Sequence, residues 1–323
     1  MDPLSDVLSL LKPRSYMSAG FDAGGEWSVE FRDQQGSIKC GAVVSGRCWL
    51  LVEGVDPVCL ETGDCFLLPS GRPFCLASDP ETAPVDAASI FLNARNGGIV
   101  SYNGGGDLFL VSSRFALSGN HADILLQMLP PIVHIREQSG QGSLRWSVER
   151  MMQELRDQQP GSLLMIEHVA HMMLVEALRL YLSQGLRGGV GWLFALADKQ
   201  IGTAIKAMHA EPAHGWTLQE LGERVGMSRS TFALKFRQIV GATPMEYLTR
   251  WRMLVAGDKL MNSGESLSQI ALSLGYESQS AFNTAFKRVM GCSPRRYGHS
   301  LNGPAISFIQ DAVSIQQLET ISG

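Results

Sequence analysis

Thr217-Leu-Gln-Glu-Leu-Gly-Glu-Arg-Val-Gly-Met-Ser-Arg-Ser-Thr-Phe-Ala-Leu-Lys-Phe236, closed by Gly241-Ala-Thr-Pro-Met-Glu-Tyr247, is restated further along the chain. The restatement reads Ser266-Leu-Ser-Gln-Ile-Ala-Leu-Ser-Leu-Gly-Tyr-Glu-Ser-Gln-Ser-Ala-Phe-Asn-Thr-Ala-Phe286, closed by Gly291-Cys-Ser-Pro-Arg-Arg-Tyr297. Leu218, Leu221, Val225 and Gly226 return 49 positions later as Leu267, Ile270, Leu274 and Gly275. After one inserted residue, Phe232, Phe236, Gly241, Pro244 and Tyr247 return 50 positions later as Phe282, Phe286, Gly291, Pro294 and Tyr297. So many matched positions with a single loop-sized shift mark a duplicated structural unit.

Each copy has a helix–turn–helix grammar. Thr217 stands before an apolar-periodic run with Glu220 three residues on, the pattern of a capping box. Leu218, Leu221 and Val225 supply the buried side, Gly226 takes the tight turn, and Ser228 caps a second helix that buries Phe232, Phe236 and Ile239. Ser266 to Val289 repeats these roles, and Met245 to Met261 forms one helix between the copies, with Pro244 at its start. A second helix of this kind enters a DNA major groove. With Phe232 as the buried centre, Ser230, Ala233, Leu234 and Arg237 lie opposite, with Thr231 and Gln238 beside them. Opposite Phe282 lie Ser280, Asn283, Thr284 and Lys287, with Gln279 and Arg288 at the edges. Arg and Lys can read guanine, and Asn or Gln suits adenine. The base-reading set is therefore Ser230, Thr231, Ala233, Leu234, Arg237, Gln279, Ser280, Asn283, Thr284 and Lys287. Thr217, Ser228, Arg229, Lys235, Arg250, Arg252, Ser278, Arg288, Arg295 and Arg296 are expected on the phosphate backbone, where contacts position without specifying.

Charge is distributed to match. Residues 212–300 carry 11 Lys and Arg against 6 Asp and Glu, a net of +5, whereas the rest of the chain carries 16 against 25, a net of −9. A locally basic helical region on an acidic protein suggests a polyanion partner for that region alone. The 323 residues, 45% hydrophobic and 18% charged, suit a globular chain of two domains. No long apolar run and no basic-then-apolar leader is present, so the expected location is the cytoplasm, with no membrane partner. The six cysteines lack C-x-x-C spacing, which fits a reducing compartment.

From Arg14 to about Phe115 the pattern changes to short β-prone runs broken by Gly, Pro, Asp and Asn: 27–31, 48–52, 64–68, 88–92, 99–102 and 107–111. Many short strands with turns between them indicate a small barrel or jelly roll. Residues 2–11 read as a short amphipathic helix or a frayed end. From Asn120 the periodicity is helical, with pieces at 121–129, 144–155 and 161–182. The last carries a broad apolar stripe of Leu164, Val169, Met172, Met173, Val175, Leu178 and Leu182, suited to covering the barrel or a second protomer. His168 and His171 share a helical face but lack further ligands, and a packed or solvated pair is the simpler reading. Gly185-Leu-Arg-Gly-Gly-Val-Gly191 is the clearest break in the chain.

Within the β-rich region, Gly63-x5-Pro69-x-Gly71 resembles the second signature motif of the cupin barrels. Metal-binding cupins place a histidine where Phe74 stands, and further histidines near Ile38-Lys-Cys-Gly41. Here no histidine occurs before His121, which argues against a His-based metal, a cofactor or catalysis. The barrel is read instead as a sensor, with Trp49, Phe66 and Phe74 as the effector-pocket residues, set against the plainer reading that they merely fill it. Cys40, Cys48, Cys59, Cys65 and Cys75 read foremost as small buried apolar residues, and a thiol redox or soft-metal sensor is the alternative.

The doubled unit, with its linker Pro-Met-Glu-Tyr-Leu-Thr-Arg-Trp-Arg-Met (244–253), resembles the AraC/XylS family of bacterial transcription regulators over about 195–300. The β-rich half more loosely resembles the cupin-type effector domains that precede that module. The resemblance implies an α+β chain: an N-terminal cupin-like β-barrel with accessory helices, then an all-α domain with two helix-turn-helix motifs joined by a linker helix. The expected division is 1–184 for effector binding and dimerisation (barrel about 14–115, helices about 120–184), 185–191 as linker, 192–300 as DNA reader and 301–323 as a loose tail. The expected function is a sequence-specific transcription regulator, effector-responsive and an activator, that reads two successive major-groove segments of promoter or operator DNA and is not an enzyme. A small-molecule effector, RNA polymerase and a second copy of the chain are the other candidate partners. The alternatives are a cupin-type enzyme with an appended DNA-binding module and a helical protein-interaction adaptor. Members of the family often carry Arg where Leu234 and Thr284 stand, so less guanine dependence is expected at those two base positions.

Overall fold

A computed structural model describes residues 2–32, 34, 37–69, 71–91, 98–117, 130–136, 142–183 and 191–299. The expected helix at 121–129, the glycine-rich linker apart from Gly191, and the tail 301–323 lie outside these residues.

The chain begins with α1 (Pro3–Leu11), started by the Asp2 carboxylate accepting from Ser5 N and by proline in the first turn. Eleven strands follow among the described residues: β1 (Arg14–Ala23), β2 (Ser28–Phe31), β3 (Ser37–Ser45), β4 (Arg47–Val52), β5 (Val58–Glu61), β6 (Cys65–Leu68), β7 (Phe74–Ala77), β8 (Val85–Asp86), β9 (Ile99–Tyr102), β10 (Leu108–Ala116) and β11 (Val133–Ile135). They form a six-stranded sheet in the order β11-β6-β3-β10-β1-β9 and a five-stranded sheet in the order β5-β4-β7-β2-β8. The two sheets enclose Phe21, Trp27, Val43, Leu50, Phe66, Phe74, Leu108 and Leu110. The outer face of the larger sheet, through Cys40, Ala42, Cys65, Leu67 and Val111, packs under helices. Strand β6 therefore reads as an unbroken apolar run, and β3 is buried from Ser37 to Val43, because both of their faces are covered.

Two local expectations are corrected. Residues 88–92 were expected as a strand, but Ala87–Ile90 form the short helix α2, because the Asp86 side chain accepts from Ala88 N and turns the chain. Strand β11 lies in a stretch read as helical and pairs with β6 through Val133↔Leu67 and Ile135↔Cys65.

Helices α3 (Gly142–Asp157) and α4 (Ser162–Ser183) cover the larger sheet, with Met151, Leu155, Ile166, Val169, Met173, Leu174 and Leu178 buried. Leu164 and Met172, read as part of a stripe that covers the barrel or a second protomer, are 60% and 44% exposed, beside exposed Leu163 and Met165. The buried stripe of α4 runs through Ile166, Ala170, Met173, Ala177 and Tyr181 instead. His168 Nδ1 lies 2.7 Å from the Leu164 carbonyl, and His171 Nε2 lies 2.6 Å from that of Pro13, so backbone oxygens partner this pair.

The rest is helical: α5 (Trp192–Ala197), α6 (Lys199–Ala210), α7 (Leu218–Arg224), α8 (Arg229–Val240), α9 (Pro244–Asn262), α10 (Leu267–Ser273), α11 (Gln279–Met290) and α12 (Pro294–His299). One apolar cluster runs from α1 and the larger sheet through α4, α5 and α6 into α8 and the first half of α9. A separate cluster holds Met253, Ile270, Leu274, Phe282, Phe286 and Tyr297 together. Helix α1 also reaches the C-terminal helices through polar groups. Lys12 Nζ pairs with Asp258 Oδ1 at 2.7 Å, and Asp6 Oδ2 lies 3.4 Å from His209 Nδ1.

Candidate nucleic-acid interface

The two copies of the repeat fold as two similar units. In the first, the Thr217 hydroxyl accepts from Glu220 N to start α7. The carboxylate half of the expected capping box is diverted, because Glu220 Oε1 lies 2.8 Å from His214 Nε2. Gly226 turns the chain at φ +70°, a left-handed value glycine adopts without steric cost. Ser228 then caps α8 by accepting from Thr231 N. In the second, Ser266 and Gln269 form a complete capping box, Gly275 turns at φ +79°, and Ser278 caps α11. Helix α9 has its own capping box, Thr243 with Glu246, one step before Pro244. Phe232, Phe236, Phe282 and Phe286 are fully buried, so each second helix is rolled with its opposite face outward.

That outward face carries the expected readers. Ser230, Thr231, Leu234, Arg237 and Gln238 are exposed on α8, with Ala233 half-buried; Gln279, Ser280, Thr284 and Lys287 are exposed on α11. Thr284 Oγ1 donates to the Ser280 carbonyl, and Gln279 Oε1 accepts from Ser268 Oγ. Asn283 is half-buried, and its Oδ1 is buried with no hydrogen-bond partner among the described residues. A shallow cleft of about 420 Å³ brings Asn283, Thr284 and Lys287 beside Gln279 and Arg295.

The cations divide into two groups. Arg229, Arg237, Arg250, Lys287, Arg288, Arg295 and Arg296 are exposed, and among the described residues no ion pair uses them. Five of the six acids of the same region are engaged: Glu220 with His214, Glu265 with Lys259, Asp258 with Lys12, Glu246 at the Thr243 cap and Glu223 by Gln219, while Glu277 is exposed. The face keeps a surplus of positive charge, partly met by Glu246, whose carboxylate interacts with Arg250 and Arg237.

Lys235 and Arg252 depart from the expected phosphate set. Lys235 Nζ is bound to Asp198 Oδ2 at 2.8 Å and Gln200 Oε1 at 3.0 Å, which ties α8 to the start of α6. Arg252 Nε donates to the Pro212 carbonyl at 2.6 Å and its Nη2 to that of His214 at 2.8 Å, with the guanidinium over the Tyr276 ring. Sequence reasoning missed these roles because the partners lie 35 to 40 positions away. Beside this clamp, a Cβ on Gly275 would stand 2.3 Å from the Ala213 carbonyl oxygen, so the turn of the second unit fits against the entry loop of the first.

Known proteins match this architecture. Residues 2–183 match the Cupin family model and residues 221–300 match the Helix-turn-helix domain model. An AraC-like transcription regulator of Streptomyces lividans is 44% identical over 92% of this chain and 98% of that protein. The chain belongs to the AraC-like family of transcription regulators. The HTH-type transcriptional regulator AlkR of Acinetobacter baylyi is 30% identical over 92% of this chain and 99% of that protein. A solved DNA-binding transcriptional dual regulator from Escherichia coli K-12 is 27% identical with a TM-score of 0.30, covering 32% of this chain and 91% of that one. This AraC-like chain is thus a DNA-binding regulator with duplex DNA as a partner. No helix among the described residues is long and apolar enough to cross a membrane.

In the N-terminal half of this AraC-like chain, the three expected effector residues do not converge. Phe66 and Phe74 lie in the core between the sheets, whereas Trp49 is half-buried on β4, between the inward Cys48 and Leu50. Phe66 fills the centre, since a Cβ on Gly41 would come within 2.5 Å of its ring. Phe74 stacks on Phe31 with centroids 4.6 Å apart. All the cysteines are free. Burial pushes the Cys48 thiol up to about 12. The Cys65 thiol, hydrogen-bonded to Cys40 and buried, is held well above its ordinary value. These two thiols are protonated near neutral pH, which opposes a thiolate role for them. Among the described residues no group of three His, Cys, Asp or Glu side chains is placed to hold a metal. A separate cleft of about 760 Å³ lies between α1, α4 and α6, lined by Leu4, Leu8, Leu174, Arg179, Lys199 and Lys206.

Proposed function

We propose that this regulator reads two successive major-groove segments on one face of the duplex. Helix α8 reads with Ser230, Thr231, Ala233, Leu234 and Arg237, and helix α11 with Gln279, Ser280, Asn283, Thr284 and Lys287. Arg229, Arg250, Arg288, Arg295 and Arg296, with the cap residues Thr217, Ser228 and Ser278, hold phosphates. The observation that carries the reading is the pairing of two capped second helices with exposed cations that no ion pair uses among the described residues. Residues 1–184 serve as the effector-sensing unit and 192–300 as the reader.

In this reading, Leu234 and Thr284 offer methyl groups to thymine and cannot form the bidentate contact that Arg makes with guanine. The exposed residues Trp146, Leu163, Leu164, Met165 and Met172 form an apolar surface on α3 and α4 that a second copy of the chain covers. Activation follows through contact with RNA polymerase.

Selection of binding sites from random duplexes tests the reading. Recovered sites with two separated blocks, lost upon Arg237→Ala or Lys287→Ala, support it. Invariant guanines contacted through positions 234 and 284 would sink the thymine assignment. A reporter fused to a promoter carrying the selected site should rise, not fall, when the protein is expressed.

A further inference from the structure

One cation inside the barrel has no counter-charge among the described residues. Lys39, on β3, is only 8% exposed. It points between the sheets: its strand partner is Leu68, the next inward position, Gly41, faces Phe66, and its Nζ lies 5.5 Å from the Phe31 centroid on the opposite sheet. Directly across the strand pair from Lys39 stands Arg114 on β10. Like charges at directly opposed positions of an antiparallel pair repel, and here one of them is also stripped of water.

Among the described residues only the Phe31 ring face, through a cation–π contact, offsets part of this cost. No hydrogen bond or ion pair among the described residues involves Lys39 Nζ. Arg114 uses Nε on Ser37 Oγ at 3.0 Å and stacks over Tyr16, which leaves its two terminal nitrogens without a hydrogen-bond partner among the described residues. Burial, and secondarily the Arg114 charge, depress the Lys39 ammonium to about 8. A lysine replaced by methionine here would keep the volume and remove the desolvation cost. A charge placed at this cost, beside a second cation, points to a ligand that completes the pair.

We propose that Lys39 and Arg114 form an oxyanion-binding site at one end of the barrel, taking the carboxylate or phosphate group of a small-molecule effector. Arginine offers a planar fork of donors and lysine a compact charge, and together they suit an oxygen-bearing anion more than a halide. The Phe31–Phe74 stack closes the apolar side of the site and keeps water from screening the two cations. This deepens the effector-sensing reading of the barrel. It is measured without DNA, so its failure and a failure of the two-helix DNA reading are separable.

The test is calorimetric titration of the full chain with sodium phosphate and, separately, sodium acetate, with sodium chloride at matched ionic strength as control, alongside thermal unfolding. Saturable binding of phosphate alone identifies a phosphate-bearing effector and of acetate alone a carboxylate. Either outcome supports the site if Lys39→Met and Arg114→Gln each weaken it by about tenfold or more, as expected for losing one charge-assisted hydrogen bond. In anion-free buffer, Lys39→Met should also unfold at a higher temperature than the parent. Absence of saturable binding of either oxyanion beyond chloride overturns the proposal. Binding unchanged in both variants also overturns it and moves the anion to the cleft lined by Arg179, Lys199 and Lys206.

Discussion

At the scale of single residues, the chemistry of the interface is set by which side chains are already occupied. Arg237 and Lys287 are free on the outward faces of their helices, so Arg237→Ala and Lys287→Ala should each weaken binding to the selected site by about 1–3 kcal/mol, read by titration of labelled duplex. Arg252 is half-buried and engaged by two carbonyls, and its effect must come through the protein instead. His209 shows a different consequence of burial. It stacks on Trp251 at 3.5 Å, its Nε2 lies 2.8 Å from Tyr247 Oη, and burial pushes its imidazole from 6.5 down to about 3. Between those values the unfolded chain binds a proton that the folded chain refuses. The folded state therefore has its full stability above pH 6.5 and loses it progressively as pH falls toward 3. His209→Gln should flatten the dependence of unfolding free energy on pH in this window by up to ~1.4 kcal/mol per pH unit. An unchanged slope would contradict a neutral buried imidazole. The outward faces of α8 and α11 were legible in the sequence because the buried Phe232 and Phe282 fix the helix angle from local spacing alone. The occupancy of Lys235 and Arg252 was not, because it depends on residues brought in from other helices.

At the scale of elements, the two helix-turn-helix units are held at a fixed relation by α9 and by one clamp. Arg252 reaches from α9 to the carbonyls of Pro212 and His214, while Gly275 lets the second turn approach Ala213. Arg252→Ala should therefore weaken binding to a duplex with both half-sites more than binding to one carrying only the first. Equal losses on both duplexes would mean that the clamp serves stability alone. The exposed α3–α4 surface makes a second prediction. Leu164→Glu with Met172→Glu should convert a dimer to a monomer in sedimentation velocity without unfolding it, since both side chains are exposed in the single chain. Sequence periodicity placed α4 well but not its roll. Its apolar residues occupy more than one face, and only the packed sheet decides that Ile166 and Met173 go in while Leu164 and Met172 stay out. The 87–90 helix was missed because the apolar run through Ile90 and Phe91 masked a helix start, in which the Asp86 cap precedes two helix-favouring alanines.

At the scale of the whole molecule, a continuous apolar core joins α1, the larger sheet, α4 and α5 to the first helix-turn-helix unit, while the second unit has a core of its own. Helix α1 packs its Leu4, Val7 and Leu11 into the core with the larger sheet, and Asp6 near His209 and the Lys12–Asp258 pair just after it reach the C-terminal helices. An event in the barrel thus has a packed path to the first reading helix. The α+β order and the doubled reader were legible because they rest on local patterns, and the shared core was not, because it is made by tertiary docking. The central claim is that both helices read DNA together, and hydroxyl-radical footprinting of the full chain on a selected site tests it most directly. The account predicts two protected patches on one face of the duplex, about one helical turn (~10 bp) apart, with Arg237→Ala erasing one and Lys287→Ala the other. A single protected patch, or two patches insensitive to both substitutions, would contradict it.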